Sequence, residues 1–498
     1  MTNGSDNNNS PAPAAKTPSF LTIFPSIMLP MFLAVVDQTI VATALPAIAA
    51  GTGEVERVSW VVISYLIAAT VAAPIYGRLG DSFGRRKVMF YALTIFIVAS
   101  LLCAASSSIW LLTLARVLQG LGGGGLMTLS QALIGETIPP RERARFQGYL
   151  AAIAVTANSF GPVVGGLLTE HFGWQSIFLV NVPIGLIAYF LVMRLPPPQG
   201  ERLPWKADPG GLVLFSVFVA TTLFALEQVQ HVKLESLPMG GMLLLIGVIA
   251  LVLLVKHENR APSPLIPLTL LRRSAIWHSD AMAAFHGAAL VSLITFLPVY
   301  LEVVRGFTPS TTGLLLVPLT IGIGAGSLLT GRLVNNTGRT TIFPIFGLLL
   351  CTATFLVLAM WAPALGAVAL AVVLLFCGLF MGSVMGVVQV IVQADAGQIR
   401  LGEAAASVQF SRSIGAAFGT ALVATLLFAV LALRNPQAAD VFAGMVEHAK
   451  GAGADLTADQ RAIVAGDIAV AFRAAFLMMA AFTTAGFFLA LTNPMKRI

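Results

Sequence analysis

Apolar residues along this chain gather into runs of about 20, the length of a helix that crosses a bilayer, and short polar or charged turns separate them. The runs predict fourteen spanning helices, near 20–49, 58–77, 88–106, 109–135, 146–168, 174–194, 210–229, 238–256, 276–301, 311–334, 341–360, 363–393, 403–432 and 468–492. They lack the ten-residue alternation of outer-membrane strands, so the expected fold class is an all-α integral membrane protein. One interruption organises the rest: Gly77-Arg78-Leu79-Gly80-Asp81-Ser82-Phe83-Gly84-Arg85-Arg86-Lys87. Its glycines permit tight turns and close helix approach, Asp81 is suited to cap a neighbouring helix start, and Arg85, Arg86 and Lys87 seek water or lipid headgroups. The stretch is expected to be a cytoplasmic hairpin.

A second copy, Gly331-Arg332-Leu333-Val334-Asn335-Asn336-Thr337-Gly338-Arg339, matches it at the Gly, Arg, Leu, Gly and Arg positions with a displacement of 254 residues, 77 to 331. The same displacement carries Gly161 onto Gly415 and Gly165 onto Gly419, so the chain is internally duplicated. The first turn follows the second run and its copy follows the tenth. Two pseudo-symmetric six-helix bundles with a pair of inserted helices account for that interval. The expected division is a disordered cytoplasmic tail at 1–18, a first bundle at 19–195, linkers and the inserted pair at 196–275, and a second bundle at 276–498 with an outer loop at 434–466. One position departs: Asn335 stands where the first copy has Asp81. The charged capping contact is therefore expected in the first half alone.

Composition narrows the class. A chain that is 57% hydrophobic and 10% charged, with a mean hydropathy of +0.88, is too apolar for a string of soluble domains. With the tail inside, twenty of the 29 Lys and Arg residues fall on the inner side, seven on the outer side, and Arg116 and Arg412 within the membrane. That bias places both termini in the cytoplasm, and it explains the net charge of +7 by topology, without nucleic acid. The Asn, Ser, Pro and Ala-rich start lacks the basic-then-apolar pattern of a signal peptide. Cys103, Cys351 and Cys377 lie in apolar runs as packing residues, with no disulfide framework. The tract Gly120-Leu121-Gly122-Gly123-Gly124-Gly125 contains G-x-G-x-x-G but follows an apolar helix, not a strand; no phosphate-binding loop and no zinc motif occurs. No cofactor, no metal and no enzyme activity are expected.

Charges inside the membrane carry the chemistry. Asp37 lies about seventeen residues into the first run, beyond the midplane at ~1.5 Å per residue. A carboxylate there is costly when charged, which suits either a proton carrier or a hydrogen-bonded acid capping a helix break. Arg116, about seven residues into the fourth run, reaches a similar depth from the other side, where it serves a structural ion pair or a functional one. Arg412 must face protein or a wet cavity, and His286 is either a proton relay or a satisfied core histidine. Asp280, Glu227 and Glu302 lie near span ends, where water relieves them, and are discounted as coupling acids.

These residues carry a resemblance over nearly the whole chain. The 77–87 stretch resembles the signature between helices two and three of the major facilitator superfamily. Leu33-Ala34-Val35-Val36-Asp37-Gln38-Thr39-Ile40-Val41 with Ala44-Leu45-Pro46 resembles the first-helix signature of its fourteen-helix drug:proton antiporter branch. Arg116-Val117-Leu118-Gln119-Gly120 resembles the fourth-helix signature, and Gly161-Pro162-Val163-Val164-Gly165-Gly166 the antiporter signature of helix five, with Ala157 where that signature has a glycine. The resemblance implies a secondary transporter of the inner membrane, moving an amphipathic or cationic drug-like compound out against protons. Asp37 and Arg116 would then couple protons, and Gly77, Asp81, Gly84, Arg85 and Arg86 would form a conformational latch. The helix-five residues Gly161, Pro162, Gly165 and Gly166 would serve helix packing, and Gln119, Arg412 and His286 are candidates for the cavity or coupling. Partners are the small-molecule substrate, protons and the bilayer, and a periplasmic adaptor where the host has an outer membrane. Export of one specific metabolite, lipid or siderophore-like compound is an alternative, and a non-transporting receptor or scaffold is one of another class.

Overall fold

In a computed structural model, which describes residues 20–54, 57–195, 202–204, 206–230, 237–262, 264–265, 268–436, 438–439, 441–442 and 458–497, every apolar run becomes a helix. The long helices are α1 (Phe20–Thr52), α2 (Trp60–Phe83), α3 (Arg85–Ala104), α4 (Ile109–Thr137), α5 (Pro140–Phe172), α6 (Asn181–Met193) and α7 (Pro209–Gln230). They continue with α8 (Leu237–Glu258), α9 (Ser274–Val299), α10 (Pro309–Thr337), α11 (Ile342–Trp361), α12 (Ala367–Ala396), α13 (Leu401–Arg434) and α14 (Ala458–Thr492). Among the described residues, thirteen helical segments are long and apolar enough to cross a membrane, and α5 matches α1 at 33 residues. The described backbone holds no strand, only one isolated bridge between Arg339 and Arg497. The tail at 1–18 and most of the loop at 434–466 lie outside the described residues, as does the side chain of Glu227.

The expected hairpin at 77–87 is not a loop. Helix α2 runs on through Gly77 and Asp81 to Phe83, and α3 begins at Arg85, so the whole reversal falls on Gly84, whose φ of +93° favours glycine. The Gly84 amide bonds back to the Gly80 carbonyl at 3.0 Å and closes the helix end. The copy behaves alike, with α10 continuing to Thr337 and turning at Gly338.

Helices α1 to α6 share one apolar core from Ile27 to Leu195, and α9 to α14 build others that include Leu293, Phe355, Phe472 and Phe476. Two seams join the halves, α2 against α13 and α5 against α10. Small residues let these backbones meet, since lipid tails offer no hydrophobic force between helices. A Cβ on Gly77 would stand 2.5 Å from the Gly402 carbonyl oxygen, and one on Gly331 2.4 Å from that of Ala144. The inserted helices α7 and α8 pack on each other, and α7 reaches the rest through α2 and α13, with Phe215 and Val219 against Val71.

The glycine tract on α4 has a packing role. A Cβ at Gly123 would fall 2.1 Å from the Tyr65 hydroxyl, and one at Gly124 2.2 Å from the Ala69 carbonyl oxygen. Bare backbone there draws α4 onto α2 and so brings Arg116 within reach of α1.

Candidate functional site

Asp37 and Arg116 meet in a fully enclosed polar cluster, each only 1% exposed. Arg116 Nη1 donates to Asp37 Oδ2 at 2.6 Å and to Gln119 Oε1 at 2.7 Å, while its Nε donates to the Val61 carbonyl at 3.0 Å. The other carboxylate oxygen of Asp37 accepts from Gln119 Nε2 at 2.8 Å and from Asn181 Nδ2 at 2.7 Å. Gln119 Nε2 also donates to Ser100 Oγ at 2.9 Å, and the guanidinium lies 4.2 Å from the centre of the Tyr65 ring. Five helices, α1, α2, α3, α4 and α6, thus converge on one carboxylate and its counter-ion. Of these residues Asp37, Arg116 and Gln119 were expected from the sequence; Asn181, Tyr65 and Ser100 were not. The only signal for Asn181 was an amide side chain well inside the apolar run 174–194, whose other amide, Gln175, sits at its edge.

The charged pair is tolerable only because each partner is paired and hydrogen-bonded; removing one leaves an uncompensated buried charge, at about 3–5 kcal/mol. A proton added to Asp37 turns an acceptor into a donor and breaks the match with Arg116, Gln119 and Asn181, all of which donate to it.

A second constellation lies where α2 ends and α13 begins. Asp81 Oδ1 accepts the amide of Gly402 at 2.9 Å and Oδ2 that of Glu403 at 3.0 Å, so one carboxylate caps the free N–H groups that open α13. Arg78 pairs with Glu403, and Arg85 bridges Asp81 to Glu136, reaching the latter at 2.9 Å. Arg86 donates to the Met193 carbonyl at 2.6 Å, outside this cluster. Glu403 is a residue the sequence did not single out. Among the described residues Asn335 makes no corresponding bond: its side chain donates to Asn336 Oδ1 at 3.5 Å. The displacement of 254 carries Gly402 and Glu403 back onto Gly148 and Tyr149, eight and nine residues past the start of α5 at Pro140. Amides there are already bonded within the helix, so the second copy has nothing to cap.

The remaining candidates scatter. Gly161 and Gly165 face α1, where a Cβ would meet Thr39 Oγ1 at 1.9 Å and Thr43 Oγ1 at 2.5 Å. Pro162 and Gly166 point away, and Gly166 has no neighbour within 4 Å, so close approach rests on two of the three glycines. His286 is buried on α9 with Nε2 3.0 Å from the Met381 carbonyl, apart from Asp37. Arg412 lines a central cavity of about 40 Å³ together with Gln38, Met127 and Gln409. Asp37, one residue before Gln38, is not in that wall. Glu302 is exposed, whereas Asp280 is 6% exposed and buried, so its dismissal as a water-relieved span end is corrected: α7, α8 and the following linker cover that end of α9.

Known proteins agree with this architecture. The sequence profile of the Major Facilitator Superfamily matches residues 27–420. An uncharacterized MFS-type transporter of Mycobacterium tuberculosis is 34% identical over 81% of this chain, and the chain spans 59% of that relative's length. Multidrug resistance protein 3 of Bacillus subtilis is 26% identical, covering 88% of this chain and 85% of its own. A drug efflux pump of Mycobacterium tuberculosis is 32% identical, over 83% and 82%. The fold is similar to that of the human organic anion transporter MFSD10, with a TM-score of 0.67 at 14% identity over 95% of this chain and all of that one. Duplicated helices, two glycine-packed seams and a profile that spans most of the sequence converge on one conclusion: the chain belongs to the Major Facilitator Superfamily.

Proposed function

We propose that this transporter is a proton-coupled exporter of amphipathic or cationic drug-like compounds, of the fourteen-helix antiporter branch, set in the cytoplasmic membrane with both termini inside. The observation that carries the reading is the Asp37–Arg116 pair, a carboxylate and its counter-ion sealed between five helices. The drug-efflux names of two relatives support the substrate class.

The geometry favours indirect coupling. The small cavity between α1, α2, α4 and α13 is lined by Gln38 and Arg412 and not by Asp37, so in this reading proton and cargo compete through α1 and not for one carboxylate. Protonation of Asp37 from outside releases Arg116 and loosens α1 from α4 and α6. Loss of that proton to the inside restores the three contacts. In this reading the Asp81 cap and the Arg78–Glu403 pair are the latch of the inner end, and their rupture opens it.

Purified protein in liposomes, with an imposed proton gradient and a fluorescent cation such as ethidium, tests the reading. Cation-driven proton flux is expected from the unaltered chain and not from Asp37→Asn. Undiminished coupled flux in Asp37→Asn removes Asp37 from the mechanism.

A further inference from the structure

A second cavity lies on the other side of Phe410 from the one lined by Gln38 and Arg412. It measures about 470 Å³ and opens beside α2 and α13, where the inserted pair α7–α8 and the linker before α9 wall it off. Its lining is apolar, with Phe215, Phe218 and Phe410 forming an aromatic side; the Phe215 and Phe410 rings are 5.2 Å apart. Exposed Leu251, Val255 and Trp277 form its rim. Three carboxylates, Glu258, Asp280 and Glu403, face into it, and among the described residues no Lys, Arg or His side chain does.

Asp280 is the informative one. It is more than nine-tenths buried, its Oδ1 accepts a bond from Ser407 at 3.3 Å, and its Oδ2 has no partner among the described residues. Glu403 is already engaged by Arg78, so Asp280 brings acceptor capacity that the protein leaves open. A buried carboxylate without a counter-ion is costly, and aromatic faces beside it attract a cation through their quadrupoles.

We infer that the inserted helices build a lateral binding pocket for a cationic amphiphile that enters from the bilayer, its charge on Asp280 and its apolar body against Phe215, Phe218 and Phe410. The proposal rests on the export function above for its substrate class and gives α7 and α8 a role: they hold cargo beside the α2–α13 seam before it reaches the central cavity. Their packing fits, since α7 touches the body of the protein along those same two helices.

Equilibrium binding of radiolabelled tetraphenylphosphonium to the full chain in nanodiscs tests this. The unaltered protein is expected to bind it saturably, Asp280→Asn at least about tenfold more weakly, and Asp280→Glu close to the original affinity. Ala281→Trp, which fills the cavity without altering its charge, is expected to lose binding as well. Unchanged affinity in both Asp280→Asn and Ala281→Trp overturns the pocket. So does the absence of saturable binding, or equal binding of neutral triphenylmethanol that Asp280→Asn does not alter, which marks a lipid-chain site instead. Binding lost in Asp280→Asn without coupled flux in the unaltered protein upholds the pocket and sinks the export reading; coupled flux with unaltered binding does the reverse.

Discussion

Asp81 on α2 accepts the backbone amide of Gly402 on α13 at 2.9 Å, across the seam between the two halves of the molecule. Gly77, one turn earlier, touches Gly402 backbone to backbone, so the bond forms where the helices come closest. The capping carboxylate, the Arg78–Glu403 pair and the Arg85 bridge fall within about two turns, and among the described residues none has a counterpart at 331–339.

Asp81→Asn should therefore impair transport far more than Asn335→Ala. A hydrogen bond to a charged group contributes about 1.5–3 kcal/mol, or roughly a tenfold to hundredfold shift toward the inward-open state. Double electron–electron resonance between labels on α2 and α13 should report lengthened distances in Asp81→Asn and unchanged ones in Asn335→Ala. Equal transport losses in the two variants contradict the one-sided cap.

Arg116→Ala should destabilise the fold by about 3–5 kcal/mol, because Asp37 is left charged and unpaired in a sealed site. Adding Asp37→Asn to it should recover much of that loss. Thermal unfolding in detergent measures both; a double variant no more stable than Arg116→Ala shows that the penalty is not electrostatic.

Asn181→Ala removes one donor to Asp37 and leaves the ion pair in place. Proton-coupled flux should fall but persist, between the unaltered protein and Asp37→Asn. Flux equal to that of the unaltered protein would mean that this amide does not hold the carboxylate.

Gly161→Ala and Gly166→Ala separate packing from the motif as written. The first places a methyl carbon 1.9 Å from Thr39 Oγ1, so α1 and α5 must part or Thr39 must turn; the second meets open space. Activity and melting temperature should drop in Gly161→Ala and stay within about 0.5 kcal/mol of the original in Gly166→Ala.

Much of this was legible in the sequence because charge in an apolar run is conspicuous. Asp37 and Arg116 declare themselves that way, and the duplicated glycines give the pairing of α5 with α13 before any contact is known. Neutral partners are silent: Asn181, Ser100 and Tyr65 have little contrast against their runs, and only the fold shows that three more helices deliver them to one carboxylate. Asp280 misled for another reason. Its distance from the end of α9 says nothing of depth once α7, α8 and a linker are laid over that end. The 77–87 stretch was placed as a loop because its polarity is that of one, yet its charges are absorbed by partners on α13 and α4, so the helix continues to Gly84.

The unequal starts of α5 and α13 have a mechanical consequence. Related sequences meet at both seams, but α13 begins where Asp81 can seize its first amides, and α5 has begun two turns too early for Asn335 to do the same. One seam is bolted; the other is only in contact, Gly331 resting on Ala144. A load that pries the two halves apart must unpack both edges, but at the α2–α13 edge it must also draw the Asp81 bolt, so opening that side is conditional on the carboxylate letting go.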